Sequence, residues 1–231
     1  MNLVGNGGIR YAAGVQPRTS FSTSFPATEN PISEGGNWIN GGTVGLDWSN
    51  CSCAAGLAIG HEVGASATDA TAVLTGVWKA DQDVSAVVHS VNQVDGCFQE
   101  TEIRLRTVIT PHSITGYEVS WHMSGTANAY VIIVRWNGPQ GDFTYLFNDG
   151  GGSQYAVANG DTVRAKIVGN IITAYINGVQ KATADITSLG GAVYSAGAPG
   201  MGFNLESANL GGTCAGTNGD YGYTSLSVVA S

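Results

Sequence analysis

Positive charge is what this 231-residue chain has least of: nine Lys and Arg stand against seventeen Asp and Glu, for a net charge of −8. Nucleic-acid binding needs clustered Lys and Arg to neutralise phosphates, and adhesion to anionic lipid needs a basic stretch, so neither partner class fits. Charge of either sign is scarce, at 11% of residues against roughly 25% in ordinary domains, which removes the charged faces that surface helices carry. No apolar run approaches the roughly 20 residues that span a bilayer, so membrane insertion is not expected. The start, Met1-Asn2-Leu3-Val4-Gly5-Asn6-Gly7-Gly8, lacks the basic region and apolar stretch of a secretory leader. Familiar chemistry is missing as well. There is no G-x-S-x-G elbow, phosphate loop or H-E-x-x-H, and His61, His89, His112 and His122 are too dispersed to form a metal site by spacing.

What remains is apolar and small. Apolar residues make up 43% of the chain, Gly numbers 34, and much of the rest is Ser, Thr and Asn. That mixture describes short strands joined by tight turns, and the length suits one large all-β domain. No segment keeps a helical period. Residues 1–19 are Gly-rich and weakly patterned and read as an extended arm; 20–231 read as a single domain. Strands are expected around 72–78, 84–91, 98–109, 116–123, 129–136, 143–147 and 223–229, each bounded by Gly, Pro, Asn or Asp. Residues 49–72 read as a loop region of small residues. The sharpest local signal is a meander: 162–168, 171–176 and 179–184 are separated by Gly169-Asn170 and Asn177-Gly178, pairs suited to two-residue hairpin turns. Many strands at short spacing lead to a sandwich or barrel.

Cys51, Cys53, Cys97 and Cys214 make a poor zinc set, and Cys51 and Cys53 are too close to bridge each other. In an oxidising compartment each of that pair is expected to reach Cys97 or Cys214; four buried thiols is the alternative.

The stretch from Asn159-Gly160-Asp161-Thr162-Val163-Arg164 through Tyr175-Ile176-Asn177-Gly178-Val179 resembles laminin G-like and concanavalin A-like modules. Ile103-Arg104-Leu105-Arg106 with Gly116-Tyr117-Glu118-Val119 is similar to their paired central strands. Gly197-Ala198-Pro199-Gly200-Met201-Gly202-Phe203 and Tyr221-Gly222-Tyr223 resemble their later strands. The resemblance spans roughly 20–230 and implies a two-sheet antiparallel jelly-roll sandwich, a fold that hosts lectins, glycanases, lyases and structural modules alike.

Within that frame the strand Glu100-Thr101-Glu102-Ile103-Arg104-Leu105-Arg106 stands out. Alternation puts Glu100, Glu102, Arg104 and Arg106 on one face, with Glu118, Ser120 and His122 beside them on the next strand. A saccharide cleft is one reading, with Glu100, Glu102, Arg104, Arg106, Glu118 and His122 as glycan-binding candidates. A solvated face of cross-strand ion pairs is the other. Catalysis fits less well. Retaining glycanases that the fold resemblance brings to mind carry E-x-D-x-x-E, which Glu100 and Glu102 do not complete. Alginate-lyase relatives carry R-x-E-x-R and Q-x-H; here Glu100 stands where the leading Arg would, and Q-x-H is absent. The resemblance also allows calcium near the last strand, at Asp220 with Glu29 or Glu34, although no dense acidic loop is present. Trp38 and Trp48 are expected to plug the ends of the sandwich; Tyr194, Tyr221 and Tyr223 either do the same or stack on sugars.

The resulting expectation is a non-catalytic surface or glycan-binding module, extracellular or on a virion surface. Its partners would be a polysaccharide or neighbouring subunits of an assembly. A secreted polysaccharide-degrading enzyme using residues 100–106 is the alternative.

Overall fold

The computed structural model describes residues 16–62, 69–207 and 214–231. Fifteen strands follow one another. The first seven are β1 (Ser20–Thr23), β2 (Trp38–Asn40), β3 (Ser52–Ala54), β4 (Leu57–Ile59), β5 (Ala70–Leu74), β6 (Gln82–Ser90) and β7 (Cys97–Thr110). Then come β8 (Ser113–His122), β9 (Val131–Gly138), β10 (Phe143–Phe147), β11 (Thr162–Val168), β12 (Ile171–Ile176), β13 (Val179–Asp185), β14 (Ala198–Ser207) and β15 (Tyr221–Ala230). They form two antiparallel sheets packed as a jelly-roll sandwich. One runs β13-β12-β11-β6-β15-β4-β3, with β1 also on β15; the other runs β10-β9-β8-β7-β14-β5-β2. Among the described residues, no helix is long and apolar enough to cross a membrane.

The meander forms as its turn residues require. Asn177 and Gly178 both take positive φ, 50° and 77°, which is what a type I′ hairpin turn demands. The small-residue region 49–72 is not all loop: β3 and β4 pair there, and β5 begins at Ala70.

The sheets differ in how they meet water. β6, β11 and β12 alternate, burying Val84, Ala86, Val88, Val163, Ala165, Ile167, Ile172 and Ala174 against the core and leaving the other face half-exposed. That outer face is held by cross-strand pairs such as Arg164 on Asp83. β7 and β8 are buried on both faces over most of their length. Their inner residues Ile103, Leu105, Tyr117, Val119 and Trp121 join the main core. Above their outer face, a second apolar cluster of Leu46, Trp48, Ile114, Val134 and Trp136 forms where residues 41–48 fold back over the sheet.

The disulfide joins Cys97 to Cys214, while Cys51 and Cys53 remain buried thiols. This corrects the expectation that each of the closely spaced pair would reach one of the distant cysteines. Cys51 and Cys53 are fixed in a backbone ladder with Ile32 and Glu29. Cys97 instead opens β7, and Cys214 lies on the approach to β15. Burial pushes the Cys51 thiol well up and raises that of Cys53, so neither is a ready nucleophile. Because the bridge spans 117 residues, replacing both Cys97 and Cys214 with Ser should cost about 2–4 kcal/mol. Urea denaturation with and without reductant checks this: reductant should bring the parent down to the double variant and leave the variant unchanged.

Arg18 and Thr19, at the end of the expected arm, are attached to the sandwich. Arg18 donates to Thr75 O and Asn37 Oδ1, and Thr19 O accepts from Ala230 N. Residues 1–15 of that arm lie outside the described residues.

Candidate functional site

Register brings the outer-face residues of four adjacent strands into rows. Glu100 lies opposite His122 on one side and Asn204 on the other; Glu102 lies between Ser120 and Gly202; Arg104 lies between Glu118 and Gly200. β9 continues the rows with Ile132 beside Ser120 and Val134 beside Glu118. Gly202 makes room for the charges. A Cβ on Gly202 would stand 2.7 Å from Arg104 Nη2, so the guanidinium lies over bare backbone.

Arg104 is the centre. It has no exposed surface and donates Nη1 to Glu118 and Nη2 to Glu102, with Asp69 Oδ2 at 3.4 Å. Trp48 and Trp136 pack on the guanidinium at 4.9 and 5.9 Å from the ring centroids. Glu118 also accepts Trp136 Nε1 at 2.5 Å and the Ser120 hydroxyl. Asp69, Glu102 and Glu118 bring their oxygens within 4.8 Å of one another, the one such metal-sized grouping among the described residues. Arg104 already supplies a cation to all three. The carboxylates considered for calcium are not gathered. Glu29 accepts the Ser33 and Glu34 amides, Glu34 accepts Thr23 and Trp38 Nε1, and Asp220 caps a turn at Thr217.

Above this network opens a cleft of about 360 Å³. Its walls are aromatic, from Trp48, Phe98, Tyr130, Trp136, Phe143 and Tyr145, and its polar side chains come from Asp69, Glu100, Glu102, Glu118 and Glu206 with the amides of Gln140, Asn148 and Asn204. Glu100 accepts the Tyr130 hydroxyl on Oε1 and Asn204 Nδ2 at 3.1 Å on Oε2. Two buried polar atoms on the lining have no partner among the described residues, the donor Trp48 Nε1 and the acceptor Asn204 Oδ1. Such orphans are rare in folded proteins unless something else satisfies them.

Burial dominates the electrostatics. It raises the Glu100 carboxyl, pushes Glu102 well up, and takes Asp69 to about 8, with Glu118 adding repulsion in each case. Behind the cleft, burial pushes Glu62 well up too; its oxygens accept Ala70 N and the Tyr221 hydroxyl. Burial alone would lower Arg104, but the attraction of Glu102, Glu118 and Asp69 outweighs it, so the guanidinium stays charged.

Of the six residues singled out by alternation, Glu100, Glu102, Arg104 and Glu118 meet here. Arg106 does not. At φ 47° and with a register shift between Leu105 and Val108, the strand bulges, and Arg106 turns off that face. Its guanidinium binds Ala80 O, Tyr194 O and Gly169 O, with Asp81 at 3.4 Å. The expected shared face for Arg106 is therefore corrected; strict alternation fails at a bulge. His122 is on the right face but stacks beside Tyr130, and its ring nitrogens face Asn128 O and Cys97 O, so it presents no free nitrogen to the cleft. Trp48 lines the cleft instead of plugging an end. Tyr221 and Tyr223 are core residues, and Tyr194 packs on Tyr117. Asp69, Tyr130, Phe143, Tyr145, Asn204 and Glu206 were not foreseen. The alternation Gly200-x-Gly202-x-Asn204-x-Glu206 beside the charged strand was the available signal for the last two.

No protein-family model matches the chain. No curated protein matches it in sequence. Solved structures match in shape. The carbohydrate binding module CBM66 from Bacillus subtilis superposes with a TM-score of 0.52 at 10% identity, covering 73% of this chain and 90% of that one. Bacillus licheniformis beta-glucanase gives 0.51 at 15% identity, covering 94% of this chain and all of that one (100%). A prokaryotic beta-1,3-1,4-glucanase (lichenase) derived from a mouse hindgut metagenome gives 0.54 at 11% identity, with 93% and 100% covered. Likeness at such identities establishes the concanavalin A-like jelly-roll fold.

Proposed function

We propose that the outer-face cleft binds a glycan chain without cleaving it, in a protein that works outside the cell. The observation that carries this reading is the combination of aromatic walls with two buried polar atoms on the lining that have no partner among the described residues. Sugar rings stack their C–H faces on aromatics and use their hydroxyls as both donors and acceptors, which suits Trp48 Nε1 and Asn204 Oδ1. Neighbours of the same fold include a carbohydrate binding module and glucanases, which agrees with a saccharide ligand. The Cys97–Cys214 bridge supports an oxidising location.

Binding is favoured over hydrolysis by how the carboxylates are used. A retaining glycosidase needs two carboxyl groups flanking the bond, one ionised to attack and one protonated to donate. Here Glu102 and Glu118 both hold Arg104 beneath the surface, which leaves Glu100 without a free carboxylate partner on its strand pair.

Phe143 and Tyr145, 38% and 46% exposed on the cleft wall, test the reading without disturbing the core. On a glycan that binds the parent protein, Phe143→Ala and Tyr145→Ala should each weaken binding about threefold to tenfold, with melting temperature unchanged. Binding that both variants retain in full would place the ligand elsewhere. Reducing ends released from the same glycan, and lost in Glu100→Gln, would make the protein an enzyme instead.

A further inference from the structure

Among the described residues, the lining of the cleft carries five acids, Asp69, Glu100, Glu102, Glu118 and Glu206, and no Lys, Arg or His. Arg104, the cation beneath it, is wholly buried and divided among three of those carboxyls. The described residues therefore leave no positive group on the lining to meet an anionic ligand. Asn204, 8% exposed, sets an unpartnered acceptor oxygen on the wall, and its amide nitrogen is bound to Glu100. Trp48 Nε1 is the unpartnered donor. Carboxyl groups are thus the most numerous polar groups on the described lining, beside the amides of Gln140, Asn148 and Asn204.

We infer that the ligand of this cleft is a glycan bearing free amino groups, a hexosamine polymer whose ammonium sits among Asn204 Oδ1, Glu100 and Glu206 while a ring hydroxyl accepts from Trp48 Nε1. This rests on the glycan-binding reading and names its substrate class. Three ligand classes separate on charge. A uronate or sulfated chain brings a negative group to a wall on which the described residues offer no cation, and is disfavoured. A neutral chain satisfies Trp48 and Asn204 but brings no cation to Glu100 and Glu206. An ammonium satisfies the same acceptor and pairs with those carboxyls, in a site where water is partly excluded and the attraction is weakly screened.

The test is calorimetric titration of the whole chain with four tetramers: glucosamine, N-acetylglucosamine, cellotetraose and galacturonate, at about pH 6, where a primary amine is protonated. The glucosamine tetramer should bind at least about tenfold tighter than its acetylated counterpart, the galacturonate tetramer should give no heat, and added salt should weaken the first. Glu206→Gln, at a half-exposed position, should narrow the glucosamine-to-acetyl ratio. Equal or tighter binding of the acetylated, neutral or acidic tetramer overturns the amino-glycan inference and leaves glycan binding standing. No binding to any of the four also overturns it; a broad glycan array, with melting curves to verify folding, then decides the underlying reading separately.

Discussion

Replacing Arg104 with Met is expected to cost about 3–5 kcal/mol of stability at neutral pH, the range for removing one partner of a buried ionic cluster. The loss comes from what stays behind. Asp69, Glu102 and Glu118 are all buried around the guanidinium, and without it their oxygens lose the donor that satisfies them, and any charge in the cluster is left uncompensated at low dielectric. Methionine keeps part of the packing between Trp48 and Trp136, so electrostatics outweighs cavity formation in this substitution. The variant should recover in part at acid pH, because protonation removes the uncompensated charge. Urea denaturation at about pH 7 and about pH 5 reads both effects. A loss below about 1 kcal/mol at the higher pH would mean that the cluster does not hold the sheet together. Lysine is not a conservative substitute there, since it cannot fork to two carboxylates at once.

The parent protein should itself lose stability as pH rises from about 4 to about 8. Glu62, Glu100 and Glu102 have carboxyls raised by burial, and Asp69 reaches about 8. A carboxyl with a higher pKa folded than unfolded binds its proton preferentially in the native state. Its contribution is whole below the unfolded value, near 4, and is lost as pH climbs through the folded value. Each such group changes stability by up to about 1.4 kcal/mol per pH unit inside its window. Glu29 and Asp185, lowered by amide and hydroxyl hydrogen bonds, act in the opposite sense at the acid end, so the optimum lies in mildly acid solution. Melting temperatures across that range should fall steadily above about pH 5. A flat profile, or an optimum near pH 8, would show that these acids are ionised and solvated in the folded protein.

The strands were legible because their outer residues meet water or their turns are chemically marked. β10 and the three-stranded meander begin where alternation and the Asn-Gly pairs put them, and the 143–147, 162–168 and 171–176 boundaries agree. The charged row was legible as far as Arg104. Its surroundings were not, because alternation of charged and apolar residues ordinarily means a half-exposed sheet. Here residues 41–48 cover one end of that sheet, and the charges beneath are buried. That cover comes from a segment some 60 residues away with no pattern of its own, so Trp48 gave no local sign that it would lie on Arg104. The bulge at Arg106 was equally hidden: a non-glycine residue at positive φ carries no compositional mark. The cysteine pairing could not be read from spacing, since it depends on which strand ends the topology brings together.

The two last strands occupy the middle of the molecule. β14 lies between β7 and β5 in one sheet, and β15 lies between β6 and β4 in the other, with β1 also resting on it. During synthesis, then, one sheet cannot close until β14 has left the ribosome, and the other until residues near 230 have followed. Until that moment β5, β6 and β7 wait with open hydrogen-bonding edges, the condition under which nascent chains pair with one another. A stop codon that removed only β15 would strip β1 of its partner and open one edge each of β6 and β4, and the product is expected to be cleared as an unfolded chain instead of surviving as a shortened sandwich.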